Sequence, residues 1–171
     1  LEGISNIQGD FQCKDYFYVK EFVMPFIRVA GNMTIALNSG SVNTAAEIEF
    51  PNLLEIGGTL TLENNKNANN ITFPSLKKIL GSCSVTTSHL KNDIEFTNLE
   101  SIGTDGANAQ IKFEIDGTNI LCPKLKTING KFDITTSTVI FDMEADQVSY
   151  PNVESISENL SITCPYSDFG S

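Results

Sequence analysis

Residues 50–62 decide the fold, and they read Phe-Pro-Asn-Leu-Leu-Glu-Ile-Gly-Gly-Thr-Leu-Thr-Leu. The first half of this phrase returns at residues 73–79 as Phe-Pro-Ser-Leu-Lys-Lys-Ile and at residues 96–102 as Phe-Thr-Asn-Leu-Glu-Ser-Ile. Weaker copies begin at Cys122 and Tyr150. A phrase that returns at a nearly fixed interval is typical of repeat proteins, in which each copy forms one structural unit.

The same pattern extends outward over nearly the whole chain. Each copy contains one apolar anchor, and the seven equivalent anchors are Ile4, Phe26, Leu53, Leu76, Leu99, Leu125 and Val153. Successive anchors are 22 to 28 residues apart. A repeat of this length predicts a solenoid, in which each unit packs only against its neighbours.

Apolar and polar residues alternate within each copy. The apolar members form couples two residues apart: Ile48 and Phe50, Leu60 and Leu62, Ile71 and Phe73, Cys83 and Val85, Ile94 and Phe96, Phe132 and Ile134, Val148 and Tyr150, and Leu160 and Ile162. A period of two is typical of half-buried β-strands. A leucine-rich horseshoe has a similar repeat length but needs a helical or extended segment on its convex side. Here that part of each copy predicts another strand.

The sequence therefore predicts an all-β fold, a right-handed parallel β-helix (solenoid) of about seven turns, formed by residues 1–171 as a single domain. Three short strands per turn stack on those of the next turn at about 4.8 Å. One position after each anchor, successive turns carry Lys77, Glu100, Lys126 and Glu154. We expect an outward column of alternating charge, which we prefer to the alternative of a charged binding stripe.

The composition excludes several classes of protein. The chain has 171 residues, of which 40% are hydrophobic, and this balance excludes intrinsic disorder. Its net charge is −10, and Arg28 is its only arginine, so nucleic acid is excluded as a partner. No apolar run approaches the roughly 18 to 20 residues that a membrane helix needs, so we expect no membrane insertion by this segment.

Three segments interrupt the repeat and are expected to bulge out as loops: Asn38–Glu47, Gly103–Gln110 and Ser137–Asp146. Binding residues often lie on loops that a rigid scaffold supports, so these loops are candidates for ligand binding. The alternative is that they are neutral surface insertions. A further irregular stretch, Tyr16–Met24, is rich in aromatic residues and is expected to contribute to the core.

Residues 50–62 resemble the repeat phrase of receptor L domains, the β-helical ligand-binding modules of the insulin and epidermal growth factor receptors. They are more similar still to leucine-rich β-helical repeats of GPI-anchored cell-wall proteins and bacterial surface proteins. The resemblance spans most of the chain. Both ends of the sequence stop within or just after a repeat, so we expect the chain to be a fragment of a longer surface protein.

The four cysteines Cys13, Cys83, Cys122 and Cys164 are not expected to form disulfides. In the repeat, Cys13 is equivalent to Leu62, Cys83 to Leu60 and Cys122 to Phe50, so these three side chains should point inward. A disulfide needs Cα atoms about 4.4 to 6.8 Å apart, whereas Cys13 and Cys83 are expected three turns apart and Cys122 on a different strand. Buried free thiols are the expectation.

The sequence offers no convincing catalytic, cofactor-binding or metal site. His89 is the only histidine and falls in a turn, where a solvated side chain is the more common role. A carbohydrate-active β-helix enzyme needs several carboxylates, or carboxylates together with Arg or Lys, on one exposed strand face. The outward residues of the second strand in each copy are instead mostly neutral: Gln12, Thr34, Thr61, Ser84, Asp133 and Ser161.

Two further motifs have simple explanations. Asp142, Glu144 and Asp146 alternate and could bind calcium, but the glycine and terminal glutamate of a calcium loop are absent, which favours a solvated acidic loop. Asn32, Asn70 and Asn159 each begin an Asn-x-Ser/Thr glycosylation motif. Three such motifs is about what chance predicts from 17 Asn and 30 Ser plus Thr residues, so they do not indicate a cellular compartment.

Together these observations predict a non-catalytic binding or adhesion module without cofactors. We expect it to be extracellular, at a cell surface or in a cell wall, and to recognise a protein or glycan ligand. One alternative is a structural scaffold that spaces other domains in a wall. The other is a carbohydrate-active enzyme.

Overall fold

The structure is a computed structural model that describes residues 3–14, 21–36, 46–65, 68–88, 93–105, 108–116, 120–136, 148–149 and 153–163. These residues form twenty β-strands and no helix. The strands are β1 (Asn6–Ile7), β2 (Phe11–Lys14), β3 (Glu21–Val23), β4 (Arg28–Val29), β5 (Met33–Ala36), β6 (Ala46–Glu49), β7 (Glu55–Ile56), β8 (Leu60–Glu63), β9 (Ala68–Thr72), β10 (Lys78–Ile79), β11 (Cys83–Ser88), β12 (Ile94–Glu95), β13 (Ser101–Ile102), β14 (Ala109–Asp116), β15 (Ile120–Leu121), β16 (Thr127–Ile128), β17 (Gly130–Thr136), β18 (Val148–Ser149), β19 (Ser155–Ile156) and β20 (Leu160–Thr163).

The strands form three parallel sheets, which the chain visits in strict rotation. The first sheet has seven strands in the order β1-β4-β7-β10-β13-β16-β19, and the second has seven in the order β2-β5-β8-β11-β14-β17-β20. The third has six, in the order β18-β15-β12-β9-β6-β3. The predicted all-β parallel solenoid is therefore confirmed, with one strand of each seven-stranded sheet in each copy of the repeat. The right-handed sense of the coil stays a prediction.

The interior consists of ladders of identical repeat positions, because strand pairing places equivalent residues of successive turns side by side. The anchors Leu53, Leu76, Leu99 and Leu125 are fully buried. The Phe50 and Phe73 rings stack with centroids 5.2 Å apart and planes within 5°, and Phe73 and Phe96 stack at 5.1 Å and 9°. This uniform apolar interior is the main source of stability, since burying each large apolar side chain contributes about 1.5 to 3 kcal/mol.

The last described turn differs from the central ones. Leu160 and Ile162 pair in register with Phe132 and Ile134, yet they are 53% and 63% exposed. The expectation that this couple is half-buried is therefore wrong. The physical reason is that a ladder residue is covered by turns on both sides, and no described strand pairs with the far edge of β20.

Glycine permits a tight corner between the first and second sheets. Gly9, Gly31, Gly58 and Gly81 stack there, with N–H to carbonyl oxygen distances of 3.0, 2.9 and 3.1 Å between successive members. A Cβ atom on Gly58 would lie 2.4 Å from the Asn32 side-chain oxygen and 2.9 Å from the Asn32 backbone nitrogen. The backbones therefore approach more closely at this corner than a side chain would permit.

Two of the predicted loops end earlier than expected. Ala46 and Glu47 belong to β6, and Ala109 and Gln110 belong to β14, because these residues pair with neighbouring strands. The prediction that Asn38–Glu47 and Gly103–Gln110 are loops is therefore wrong at the carboxyl end of each segment. Residues 38–45, residues 106–107 and all of Ser137–Asp146 lie outside the described residues.

The aromatic stretch Tyr16–Met24 contributes to the core, as expected, where it is described. Phe22 and Met24 pack against the core cluster, whereas Val23 between them is 42% exposed. Residues 16–20 lie outside the described part of the chain. Among the described residues, no helix is long and apolar enough to cross a membrane.

Candidate binding surface

The outer face of the second sheet has the polar character that the sequence predicts. Its central column contains Gln12, Thr34, Thr61, Ser84, Lys112, Asp133 and Ser161, paired in register from turn to turn. Lys112 was missed, because the irregular residues before β14 hide the alternation of that copy. The charges here neutralise each other: Lys112 Nζ lies 2.6 Å from Glu114 Oε1, and Lys131 Nζ lies 2.9 Å from Asp133 Oδ2.

The outer face of the third sheet is different, because the charged residues that the structure describes there have one sign. We call its outward carboxylates the acidic face: Glu21, Glu47, Glu49, Asp93 and Glu95. They flank the inward residues Phe22, Ile48 and Ile94 along the chain. No lysine or arginine lies in the described strands of this sheet.

Strand pairing places two of these carboxylates side by side, whereas Asp93 and Glu95 are separated from Glu47 and Glu49 by β9. Glu21 and Glu47 are register partners on adjacent parallel strands, whose backbones lie about 4.8 Å apart. Glu47 accepts a hydrogen bond from Asn70 Nδ2 at 2.7 Å. Like charges opposite each other in a sheet are unfavourable, so a cationic group that approached this face would be attracted to it.

Exposed apolar residues lie where the chain passes from the third sheet to the first. Ile27 is 42% exposed and Leu54 is 43% exposed, and the Leu54 backbone N–H donates to the Ile27 carbonyl oxygen at 2.8 Å. The two residues are therefore stacked on successive turns. We call this pair the apolar ridge. Exposed Val23, at the end of β3, belongs to the same turn as Ile27.

The ridge continues into the charged column that the sequence predicts. The column starts at Leu54 and continues, one residue per turn, through Lys77, Glu100, Lys126 and Glu154. The backbone N–H of each later member donates to the carbonyl oxygen of the member one turn earlier at 2.9 to 3.0 Å. The column is therefore confirmed as an exposed stack. Lys126 Nζ lies 3.7 Å from Glu154 Oε1. The same outward position is apolar in two copies and charged in the next four.

An ion pair borders the ridge on its other side. Arg28 follows Ile27, Glu55 follows Leu54, and Arg28 Nε donates to Glu55 Oε1 at 2.9 Å. Both side chains remain partly exposed, at 46% and 30%. The ridge thus has an apolar centre with a polar rim, which is the usual arrangement of a protein interface.

Neither the acidic face nor the apolar ridge was predicted from the sequence, although each has a signal there. The patterns Glu47-Ile48-Glu49 and Asp93-Ile94-Glu95 place acidic residues on both sides of a buried isoleucine. Ile27 and Leu54 occupy the position directly after an anchor, which forms the predicted charged column in the later copies. Each signal becomes clear once all copies are compared at one position.

Three cysteines are free and buried, as expected: Cys13, Cys83 and Cys122. Burial raises the pKa of Cys13 to about 11 and that of Cys83 to about 12. Burial also raises the pKa of Cys122, and proximity to Cys83 raises it further. These thiols serve as core residues and not as nucleophiles, since the thiolate is the reactive form. Cys164 lies outside the described residues.

The remaining candidates divide into described and undescribed positions. His89 and the acidic series Asp142, Glu144 and Asp146 lie outside the described residues. Of the three glycosylation motifs, Asn32 and Asn159 are exposed, whereas Asn70 is half-buried on the acidic face.

Comparisons of the chain with models of protein families, with curated proteins and with solved structures found no match.

Proposed function

We propose that this chain is a non-catalytic, receptor L domain-like binding module, exposed at a cell surface or in a cell wall, that recognises a protein through the apolar ridge. The observation that carries this proposal is the exposure of Ile27 and Leu54 at a position that is charged in the following copies. Exposed apolar residues ringed by polar ones are typical of protein interaction sites.

Charge complementarity favours one kind of partner. The acidic face lies immediately before the ridge along the chain, and the whole molecule carries a net charge of −10. A protein segment with a bulky apolar residue flanked by lysine or arginine would bury the ridge and neutralise the carboxylates. Such electrostatic complementarity increases the association rate and selects the partner more than it increases affinity.

A structural scaffold is the second candidate. The stacked rings of Phe50, Phe73 and Phe96 favour a stiff rod, which is what a spacer between domains needs. A scaffold does not need an exposed ridge, however. The two functions therefore differ in whether the ridge binds anything.

The proposal can be tested by selecting peptides from a phage-displayed random library on the immobilised chain. We expect the enriched peptides to combine lysine or arginine with a bulky apolar residue. Failure to enrich such peptides, or enrichment of acidic ones, would contradict the proposal.

Two matched variants show whether the acidic face contributes. Glu49→Gln/Glu95→Gln removes two charges from the acidic face, and Glu63→Gln/Glu100→Gln removes two charges elsewhere. We expect the first variant to weaken binding of a selected peptide at low salt and the second to leave it nearly unchanged. Equal effects would indicate nonspecific attraction to an acidic protein and would contradict recognition by this face.

A further inference from the structure

Two of the three glycosylation motifs occupy the same position in the repeat. Asn32 directly precedes β5 and Asn159 directly precedes β20, and both strands belong to the second sheet. Both asparagines are exposed at the corner between the first and second sheets. The third asparagine, Asn70, lies inside β9 in the third sheet. The sequence alone treats the three motifs as equivalent, whereas the fold separates them.

The Asn32 side chain is held in an orientation that suits modification of its nitrogen. Its Oδ1 atom accepts a hydrogen bond from the Thr59 backbone N–H at 2.8 Å, and its own backbone N–H donates to Asp10 Oδ1 at 2.7 Å. The amide oxygen therefore faces the next turn. The Nδ2 atom has no partner among the described residues. An N-linked sugar leaves Oδ1 in place, so the bond to Thr59 can persist after modification.

The hydroxyl residue of each exposed motif lies on the same side of the chain as its asparagine. Residues two apart in a strand point to one face, and Met33, between Asn32 and Thr34, is fully buried. Thr34 and Ser161 both belong to the central column on the outer face of the second sheet. The motif is thus presented outward at both positions.

Asn70 is in a different environment. Its Nδ2 atom donates to Glu47 Oε2 at 2.7 Å, and the side chain is half-buried between neighbouring strands. Attaching a sugar to this nitrogen would disturb that bond and place a bulky group on the acidic face. A chain modified at Asn70 would therefore fold less well.

We propose that Asn32 and Asn159 are acceptor sites for an N-linked oligosaccharide, and that Asn70 is unmodified in the folded protein. This inference rests on the proposed exposure of the chain outside the cell. The donor is a lipid diphosphate-linked oligosaccharide. Asparagine Nδ2 forms a bond to the anomeric carbon of the sugar, the bond from that carbon to the diphosphate oxygen breaks, the lipid diphosphate leaves with the electron pair, and Nδ2 loses one proton to a base of the transferase.

The test is to secrete the whole chain from a eukaryotic cell line behind an added signal peptide. The folded, secreted protein is treated with peptide N-glycosidase in heavy-oxygen water, and the asparagines converted to labelled aspartate are identified by mass spectrometry. We expect labelling at Asn32 and Asn159 and none at Asn70. Labelling at Asn70, or the absence of labelling at either Asn32 or Asn159, would overturn the proposal.

Matched variants separate the sugar from the side-chain bond. Thr34→Ala destroys the motif but keeps the Asn32 bond to Thr59. We expect the secreted protein to lose one sugar chain, and we expect the variant made without glycosylation to melt at nearly the same temperature as wild type made in the same way. Asn70→Gln should leave the number of sugar chains unchanged, and a loss of one chain would contradict the proposal. Because the signal peptide is supplied, these results do not depend on whether the ridge binds a ligand, and the peptide selection tests that function separately.

Discussion

Two neighbouring positions of the repeat differ in burial and in how much their residues vary from copy to copy. The anchor position is apolar in every copy, and Leu53 and Leu76 are fully buried. The next position is exposed and changes from Leu54 to Lys77 between the same two turns. The anchors from Phe26 to Leu125 are alike because each is buried in the same interior, whereas the first anchor, Ile4, is 40% exposed. The next residues differ because each meets only solvent or a partner, and their variation is therefore where function is to be sought.

The largest expected difference is between Leu76 and Lys77. Leu76→Ala removes a fully buried side chain from a central turn and should cost about 2 to 5 kcal/mol of unfolding free energy. Lys77→Ala, one residue later, should stay within about 0.5 kcal/mol of wild type. Denaturant unfolding measures both. A loss below 1 kcal/mol for Leu76→Ala would contradict the assignment of inward and outward positions.

The glycine corner offers a second contrast of smaller size. A Cβ atom on Gly58 would meet the backbone and side chain of Asn32, whereas one on Gly9 has nothing within 4 Å. Gly58→Ala should therefore destabilise the protein by about 1 to 3 kcal/mol, as overpacking does, and Gly9→Ala should not. Equal thermal stabilities of the two variants would show that the turns do not approach as closely as described.

The buried thiols predict a dependence of stability on pH. The pKa of Cys83 rises from 9.0 to about 12 on burial, so between these values the unfolded thiol ionises while the folded one stays protonated. The stability is therefore fully present below about pH 9 and falls as the pH rises towards 12, by up to about 1.4 kcal/mol per pH unit for each such thiol. Urea unfolding of wild type and Cys83→Ala across this range isolates the effect, because the other titrating groups are common to both. Parallel curves would contradict it.

The smallest predicted effect concerns the charged column. Glu100→Lys would place three positive charges on consecutive turns, since Lys77 and Lys126 lie on either side. Stability at low salt should fall by about 0.2 to 1 kcal/mol and should partly recover at high salt. An unchanged low-salt midpoint of denaturation would mean that the charges on neighbouring turns of the column do not interact.

The sequence sufficed to predict the interior, because packing imposes the same requirement on every copy. Leu53, Leu76 and Leu99 occupy equivalent positions of the repeat, and all three are fully buried. The exposure of Leu160 could not be predicted, because it depends on what covers β20 and not on the residue itself. No described strand pairs with the far edge of β20.

The candidate surface was harder to predict for a related physical reason. The acidic face pairs Glu21 with Glu47 and places Glu49 and Glu95 on either side of Thr72, and these residues, far apart in the chain, share one face only through strand register. Ile27 and Leu54 have no pattern that distinguishes them from core residues until their turn position is known. Outward residues carry a signal only through their neighbours on other turns.

The most direct test replaces the two apolar residues of the ridge by charged residues like those at the same position in the following copies. Ile27→Lys/Leu54→Glu gives these positions the alternating charges found at Lys77 and Glu100, and Lys77→Ala/Glu100→Ala is the matched control. Calorimetric titration with a selected peptide measures Kd for the intact chain, and circular dichroism checks that each variant is folded. We expect the ridge variant to bind at least about tenfold more weakly, equivalent to about 1.4 kcal/mol, and the control to bind nearly as wild type. A folded ridge variant that binds the peptide as tightly as wild type would contradict recognition by the apolar ridge.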